Sequence, residues 1–229
     1  MTFCAFVFDL DGTLLDSNPL HVRAWCAAFE QFELEMTEDR IAEEIGKGGD
    51  QLVPSLIGKE LDKKFGKKLG KAHDKEFEKL AARNGLKFFP DWDRLLKACH
   101  ERDARLALAT SSDKKQLDFI HEITSIDLWG FFDEIVTAAD VDQTKPSPDL
   151  FTVAVQKLRQ PRRNCVVVGD TPHDCTAALK AKLAAVGLRS GGHKTKTLQS
   201  AGAFVVYNDC TDMLRNLPTL LDPAKSKPA

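Results

Sequence analysis

Phe3-Cys4-Ala5-Phe6-Val7-Phe8-Asp9-Leu10-Asp11-Gly12-Thr13 begins as a short apolar, aromatic-rich run and stops on two acids. A continuous apolar run of this length fits a buried strand, and the acids fall at its end. Similar runs recur along the chain. Residues 106–109 (Leu-Ala-Leu-Ala) end in Thr110-Ser111-Ser112, residues 134–137 follow, and residues 165–168 run into Gly169-Asp170. Residues 183–188 are a weaker candidate and residues 203–206 a last one. Helical spacing lies between them: Leu150, Phe151, Ala154, Val155 and Leu158 share one face, residues 174–181 are alanine-rich, and residues 95–99 suggest another helix. Short apolar strands alternating with amphipathic helices predict an α/β fold with a parallel sheet covered on both faces. Ligands of such sheets sit beyond the carboxyl ends of the strands, where Asp9, Thr110 and Asp170 all fall.

One interval breaks the alternation. Residues 9–105 are mostly helical in pattern. In residues 18–32, Leu20, Ala24, Ala27, Ala28 and Phe32 form one broad face with Trp25 adjoining. In residues 61–82 the apolar positions are Phe65, Leu69, Ala72, Phe77, Leu80 and Ala81. Gly46-Lys47-Gly48-Gly49 reads as a flexible break between them. The simplest organisation is a helical domain at residues 17–88 inserted into a core of residues 1–16 and 89–229. The chain crosses between them near residues 15–17 and 86–90, the expected hinge. The tail beyond Asp222 is expected to fray.

Composition narrows the function. The chain has 229 residues, enough for a sizeable core, and a formal net charge of -2, which gives no basic excess for nucleic acid. Lys63, Lys64, Lys67, Lys68 and Lys71 cluster, but acids surround them, as on a solvated helix face. No run approaches a membrane span, and the start lacks the basic head and long apolar stretch of a signal peptide. The six cysteines show no C-x-x-C pair, and Cys4 and Cys165 read as small core residues. A reduced, cytoplasmic protein is expected.

Several residues could carry chemistry, and each has a plainer reading beside it. Asp9 and Asp11 would share one side of a continuing strand and could divide ligand or nucleophile from acid; an Asp-Gly surface turn is the alternative. Asp170 follows a strand, and Asp174 could cap the next helix or join a hard oxygen site suited to Mg²⁺. Thr110 and Ser111 could hold phosphate oxygens or simply cap a helix. Lys145, in Lys145-Pro146-Ser147-Pro148, is either a solvated loop lysine or the cation that anchors a phosphoryl group among carboxylates. Together these supply the parts for phosphoryl transfer. No nucleotide-triphosphate or dinucleotide glycine loop is present.

In that order the chain resembles the haloacid dehalogenase-like (HAD) hydrolase superfamily over nearly its whole length. Asp9-Leu10-Asp11-Gly12-Thr13-Leu14 looks like its first motif in the phosphatase form. Thr110-Ser111 looks like the second, Lys145 the third, and Gly169-Asp170-Thr171-Pro172-His173-Asp174 the fourth. The resemblance implies a Rossmann-like parallel-sheet core with an inserted, mobile α-helical cap of the C1 type. It implies that Asp9 attacks phosphorus to form an aspartyl-phosphate, and that Asp11 protonates the leaving oxygen and then activates water. Thr110, Ser111 and Lys145 would hold the phosphoryl oxygens. Mg²⁺ would be bound by Asp9, the Asp11 carbonyl and Asp170, with Asp174 completing the acidic site.

Asp16-Ser17 and His21-Val22-Arg23-Ala24-Trp25 resemble the cap entrance of phosphoglycolate phosphatase-like and beta-phosphoglucomutase-like members. His21 there either faces the cleft, where it is linked to positioning Asp11, or is a plain helix histidine. Lys47 is the candidate substrate-contacting cap residue, with a solvated loop lysine as the alternative. Gly49 stands about where the mutases carry an arginine, and Gly169-Asp170 where they carry Glu-Asp. Pro90-Asp91 replaces the Pro-Gly common after the cap. The expected function is Mg²⁺-dependent hydrolysis of a small phosphorylated metabolite by a monomer, without nucleic acid or membrane partners. A sugar-phosphate mutase is the alternative. Dehalogenation fits Asp11 poorly, phosphonate cleavage needs a cap lysine forming a Schiff base, and a binding protein is the remaining class.

Overall fold

The structure, a computed structural model, describes residues 3–221. Strands β1 (Ala5–Phe8), β2 (Arg105–Ala109), β3 (Glu134–Val136), β4 (Cys165–Gly169), β5 (Ala184–Leu188) and β6 (Ala203–Tyr207) make one sheet in the order β3-β2-β1-β4-β5-β6. Every pairing is parallel. The helices are α1 (Asn18–Glu30), α2 (Glu38–Ala42), α3 (Gly49–Asn84), α4 (Trp92–His100), α5 (Lys114–Thr124), α6 (Asp149–Leu158), α7 (Pro172–Lys180), α8 (Thr195–Ser200) and α9 (Cys210–Leu221). All six expected strands are present, with ends moved by one or two residues. The expected fraying tail lies outside the described residues.

The two-residue period of β1 divides the core. Phe6 and Phe8 point to the face covered by Leu95 and Leu96 of α4, Leu117 of α5 and Met213 of α9. Ala5 and Val7 point to the other, under Leu150 and Phe151 of α6 and Ala177 of α7. Because β1 is central and buried on both faces, both of its side-chain sets are apolar, and the first polar side chain after it, Asp9, marks its end. Cys165 is a core residue as expected. Cys4 precedes its strand and is half-buried.

Helices α1, α2 and α3 lie between β1 and α4 and have an apolar cluster of their own, built on Trp25, Phe29, Ile41, Leu52 and Leu69. Outgoing and returning chain pair with each other: Asp16 N donates to Lys87 O at 2.9 Å and Phe89 N to Leu14 O at 2.8 Å. The glycine-rich segment differs from expectation. Gly48 caps α3 and Gly49 begins it, so the helix expected from residue 61 starts a dozen residues earlier, interrupted only at Gly58 with φ +79°. Helix α2 was not legible; its one buried side chain, Ile41, gives no period. Asp91 takes the left-handed conformation (φ 59°) in which glycine is at ease, and Arg94 Nη1 (2.7 Å) and Thr211 Oγ1 (2.8 Å) hold its carboxylate there. The clustered lysines of α3 are exposed. Among the described residues no helix is long and apolar enough to cross a membrane.

Candidate active site

The carboxyl ends of β1, β2 and β4 converge beneath α1 and the loop before α3, around a cavity of about 250 Å³. Asp9, Asp11, Ser111 and Lys145 line it from the core, and His21 and Lys47 from the inserted helices. Thr110, Asp170 and Asp174 are fully buried one contact deeper. Thr110 Oγ1 accepts from Ser112 N at 3.1 Å, Asp170 Oδ2 from Asn18 Nδ2 at 3.0 Å, and Asp174 Oδ1 from Lys145 Nζ at 2.9 Å.

Asp9 is held by its backbone, whose N–H donates to Val168 O in β4. Its Oδ1 meets Lys145 Nζ at 2.7 Å, while Oδ2 is buried with no hydrogen-bond partner. Burial pushes the carboxyl well above the ordinary range; Lys145 opposes this, and Asp174, Asp170 and Asp11 add to it. Asp170 accepts from Thr13 Oγ1 at 2.7 Å and is raised to about 7 by desolvation and then by Asp174. Burial would discharge Lys145, but the carboxylates of Asp174 and Asp9 outweigh it and raise the ammonium's pKa. Asp174 caps its helix and also faces the acidic cluster. Its Oδ2 accepts from Thr171 N (3.0 Å) and Oγ1 (2.6 Å) in a capping box, and its Oδ1 pairs with Lys145.

The acids Asp9, Asp170 and Asp174 each offer an oxygen within 4.8 Å of the others. Three carboxylates against one ammonium leave two negative charges uncompensated in a buried site. Protons or a hard divalent cation must compensate them, and the all-oxygen donor set fits such a cation.

Asp11 turns away from this cluster. Gly12, at φ +77°, reverses the chain, and an added Cβ there would lie 2.2 Å from both Asn18 Nδ2 and Asp170 Oδ2. The Asp11 carboxylate accepts from Ser17 Oγ (2.5 Å) and Ser112 Oγ (3.2 Å) and faces His21 Nε2 at 3.2 Å. Burial alone would raise its pKa; the His21 charge and hydrogen bond, with Ser17, bring it down to about 2. His21 continues into a chain that the sequence did not reveal: Nδ1 lies 3.1 Å from His73 Nε2, and His73 Nδ1 lies 3.0 Å from Asp74 Oδ1. Desolvation depresses the His73 pKa, so this ring is neutral, donates from Nδ1 to Asp74 and accepts at Nε2 from His21 Nδ1–H. Trp25 stacks on His73 and Phe77 on His21, each at 4.2 Å. The available signal was position: Leu69, His73 and Phe77 are spaced by four on the buried face of α3.

The inserted helices are latched over the cavity. Gly48 N donates to Thr144 Oγ1 at 3.0 Å, and Asp50 takes both the backbone N–H and the hydroxyl of Thr144, the residue before Lys145. Lys47, the expected substrate contact, is in the cavity wall, but its ammonium is paired with Glu44.

A doubly wound parallel sheet with an aspartate at the end of its central strand, a buried lysine and an acidic cluster under a helical insertion defines a class of α/β hydrolytic enzymes. The chain belongs to the haloacid dehalogenase-like hydrolase family, whose model matches residues 6–188. A solved hydrolase from Pseudomonas syringae is 32% identical, with TM-score 0.88 over 97% of this chain and 100% of that one. The phosphoglycolate phosphatase of Salmonella typhi is 28% identical over 90% of this chain and 89% of its own length. A phosphorylated carbohydrates phosphatase of Thermotoga maritima is 26% identical over 87% and 91%.

Proposed function

We propose that the chain hydrolyses small organic phosphate monoesters in two steps through an aspartyl-phosphate on Asp9. It is a phosphoric monoester hydrolase acting on phosphorylated small molecules, in keeping with its family and the two phosphatases above. The observation that carries the two-step reading is the division of Asp9: Oδ1 is committed to Lys145, and Oδ2 is buried and unpartnered, as is the hydroxyl of Ser111, which lines the same cavity. In the first step Asp9 Oδ2 bonds to phosphorus as the ester oxygen leaves. Lys145 and Ser111 hold the phosphoryl oxygens, with Thr110 bracing the loop at Ser112 N. The leaving oxygen takes its proton from Asp11, which is supplied from the Asp11–His21 pair. In the second step Asp11, again a carboxylate, accepts a proton from the water that attacks phosphorus, Asp9 leaves, and the proton returns to the pair. Residues 17–88 serve as the cap that excludes bulk water.

Mg²⁺ is the cation proposed for the cluster, held by Asp9, Asp170 and the Asp11 carbonyl with Asp174 beside them; when bound it neutralises charge on the phosphoryl group. In the metal-free protein, Asp170 has a folded pKa above its unfolded one. Its stabilising contribution is therefore complete below about pH 4 and lost as pH rises through about 7. Mg²⁺ at about a hundredfold excess over its Kd is expected to raise Tm by about 5–10 °C at pH 8. The increment should shrink at pH 5, where protons compete, and vanish in Asp170→Asn. Thermal unfolding with Mg²⁺ or EDTA measures it.

A mutase reading has less support. A Cβ at Gly169, where the mutases have glutamate, would lie 2.4 Å from Asp174 Cβ. A metabolite panel scored for both phosphate release and isomerised sugar phosphate, with Asp9→Asn as the blank, tests the assignment; isomerisation without release would overturn it. His73 orients His21 rather than meeting phosphate. His73→Phe keeps a ring but loses both hydrogen bonds. It should lower kcat about 10- to 100-fold, the scale of residues that orient an active-site group. KM should move little, and an equal change in both parameters would count against this role.

A further inference from the structure

The cavity carries more polar capacity than phosphoryl transfer uses. Four buried side-chain atoms among the described residues have no hydrogen-bond partner, and all four belong to residues lining this cavity. Asp9 Oδ2 and Ser111 Oγ belong to the phosphoryl position. The other two, Asn18 Oδ1 and Gln116 Nε2, have no task in the reaction. Asn18 spends its amide nitrogen on Asp170, which fixes Oδ1 as its free atom, an acceptor. Gln116 stands in the first turn of α5, and its free atom is a donor. A buried acceptor and a buried donor with nothing to bind suit a group that can donate and accept at once, which a hydroxyl does and a carboxylate or second phosphate does not.

The charges of the wall agree. Its acids are Asp9, Asp11, Asp74 and Asp113; its only cations besides the histidines are Lys47 and Lys145, and no arginine is among the lining residues. Lys145 is shared by Asp9 and Asp174. Lys47 is held by Glu44, whose carboxylate also takes the Ser55 hydroxyl. Burial would raise the Glu44 carboxyl, but the hydrogen bonds of Lys47 and Ser55 keep it below the usual range, so the pair stays charged. A second anionic group on the substrate would meet carboxylates and no free cation. Trp25 and Ile45 add apolar wall, and the volume is small for a ligand site.

Resting on the phosphatase reading above, we infer that the substrate is a small monoester whose leaving group is uncharged and hydroxyl-bearing. Asn18 and Gln116 read its hydroxyls, and the Glu44–Lys47 pair denies a partner to any second anion. This is selection by an absent counter-charge as much as by contacts made.

The test is phosphate release by the full chain with Mg²⁺ on two sets of esters. One set is hexose and polyol monophosphates; the other is phosphoglycolate, phosphoglycerates and sugar bisphosphates. The uncharged set should lead in kcat/KM by at least about tenfold. Gln116→Leu should lower kcat/KM for the hydroxylated esters by about ten- to a hundredfold, the effect of stranding or losing one buried hydrogen bond. Glu44→Gln, which frees Lys47, should narrow the ratio between the sets by about tenfold or more in favour of the anionic one. Wild-type activity led by phosphoglycolate or a bisphosphate overturns the inference alone, whether or not the variants fold. A ratio between the sets that neither variant moves also overturns it. Failure of every ester to give Asp9-dependent release is a different result, and it removes the phosphatase reading itself.

Discussion

Asp9→Asn is expected to lower phosphate release by at least about 10⁴-fold, the scale seen when a nucleophile is removed from a working site, without loss of folded protein. Asparagine has the shape of aspartate, so the buried space is unchanged. Its amide oxygen can still accept from Lys145, which in any case keeps Asp174 as a partner. What disappears is the carboxylate that bonds to phosphorus in the proposed reaction. The charge change works in favour of the fold. Burial and the neighbouring acids raise the Asp9 pKa well above its unfolded value, so the metal-free native state loses stability as pH rises from about 4 through that raised pKa. The amide does not titrate and removes this loss. Asp9→Asn should therefore unfold at the wild-type temperature or above it at pH 8 in EDTA. An Asp9→Asn variant that retained more than about a thousandth of wild-type turnover with Mg²⁺ present would sink the covalent reading.

The residues of this experiment were legible in the sequence because each occupies a position that backbone geometry defines. Asp9, Thr110 and Asp170 follow apolar strands, and a parallel sheet brings strand ends together whatever the loops do. Asp174 was legible as a first-turn acid, and its second partner, Lys145, comes from a loop that no periodic pattern could place. The inserted helices were less open to reading. Their existence followed from the apolar spacing of α1 and of the second half of α3, but Gly46 to Gly49 concealed where α3 begins, since glycine serves equally as a break and as a cap. The side chains that face Asp11 from above depend on how two helices pack. His73 is on an apolar face and reads as core; only the three-dimensional approach of α1 and α3 turns it into a partner of His21. Lys47 shows the converse. Its position in the wall was foreseeable from a cap loop, whereas its pairing with Glu44 three residues earlier depends on the local chain reversal. Gln116 and Asn18 escaped for a related reason: an uncharged amide is unremarked in sequence until burial strands one of its atoms.

Lys145→Met should have the largest effect on the fold, and its size should depend on pH. The ammonium is 1% exposed and, among the described residues, is the one cation in direct contact with Asp9 and Asp174. Methionine fills the space with an unbranched apolar chain, so the experiment removes charge rather than packing. Three buried carboxylates are then left with no counter-ion in the metal-free protein, and stranding one side of a buried ion pair costs about 3–5 kcal/mol. Protonation is the only internal relief. At pH 5 the carboxyl of Asp170, raised to about 7, already holds a proton, and the upward shift of Asp9 works in the same direction, so much of the loss should be hidden. At pH 8 those protons must be given up or held against a steep gradient, and the full loss should appear in urea or thermal unfolding. Lys145→Arg is not a rescue, because the planar guanidinium is larger and cannot occupy a socket shaped for a compact ammonium between two carboxylates. Mg²⁺ should return part of the stability at pH 8 and none of the turnover, since the cation offsets the charge of the cluster while the hold of Lys145 on Asp9 Oδ1, and its proposed hold on the phosphoryl group, are lost. Equal destabilisation at pH 5 and pH 8 would mean that Lys145 supports the fold by packing, and the charge account of this site would fall with it.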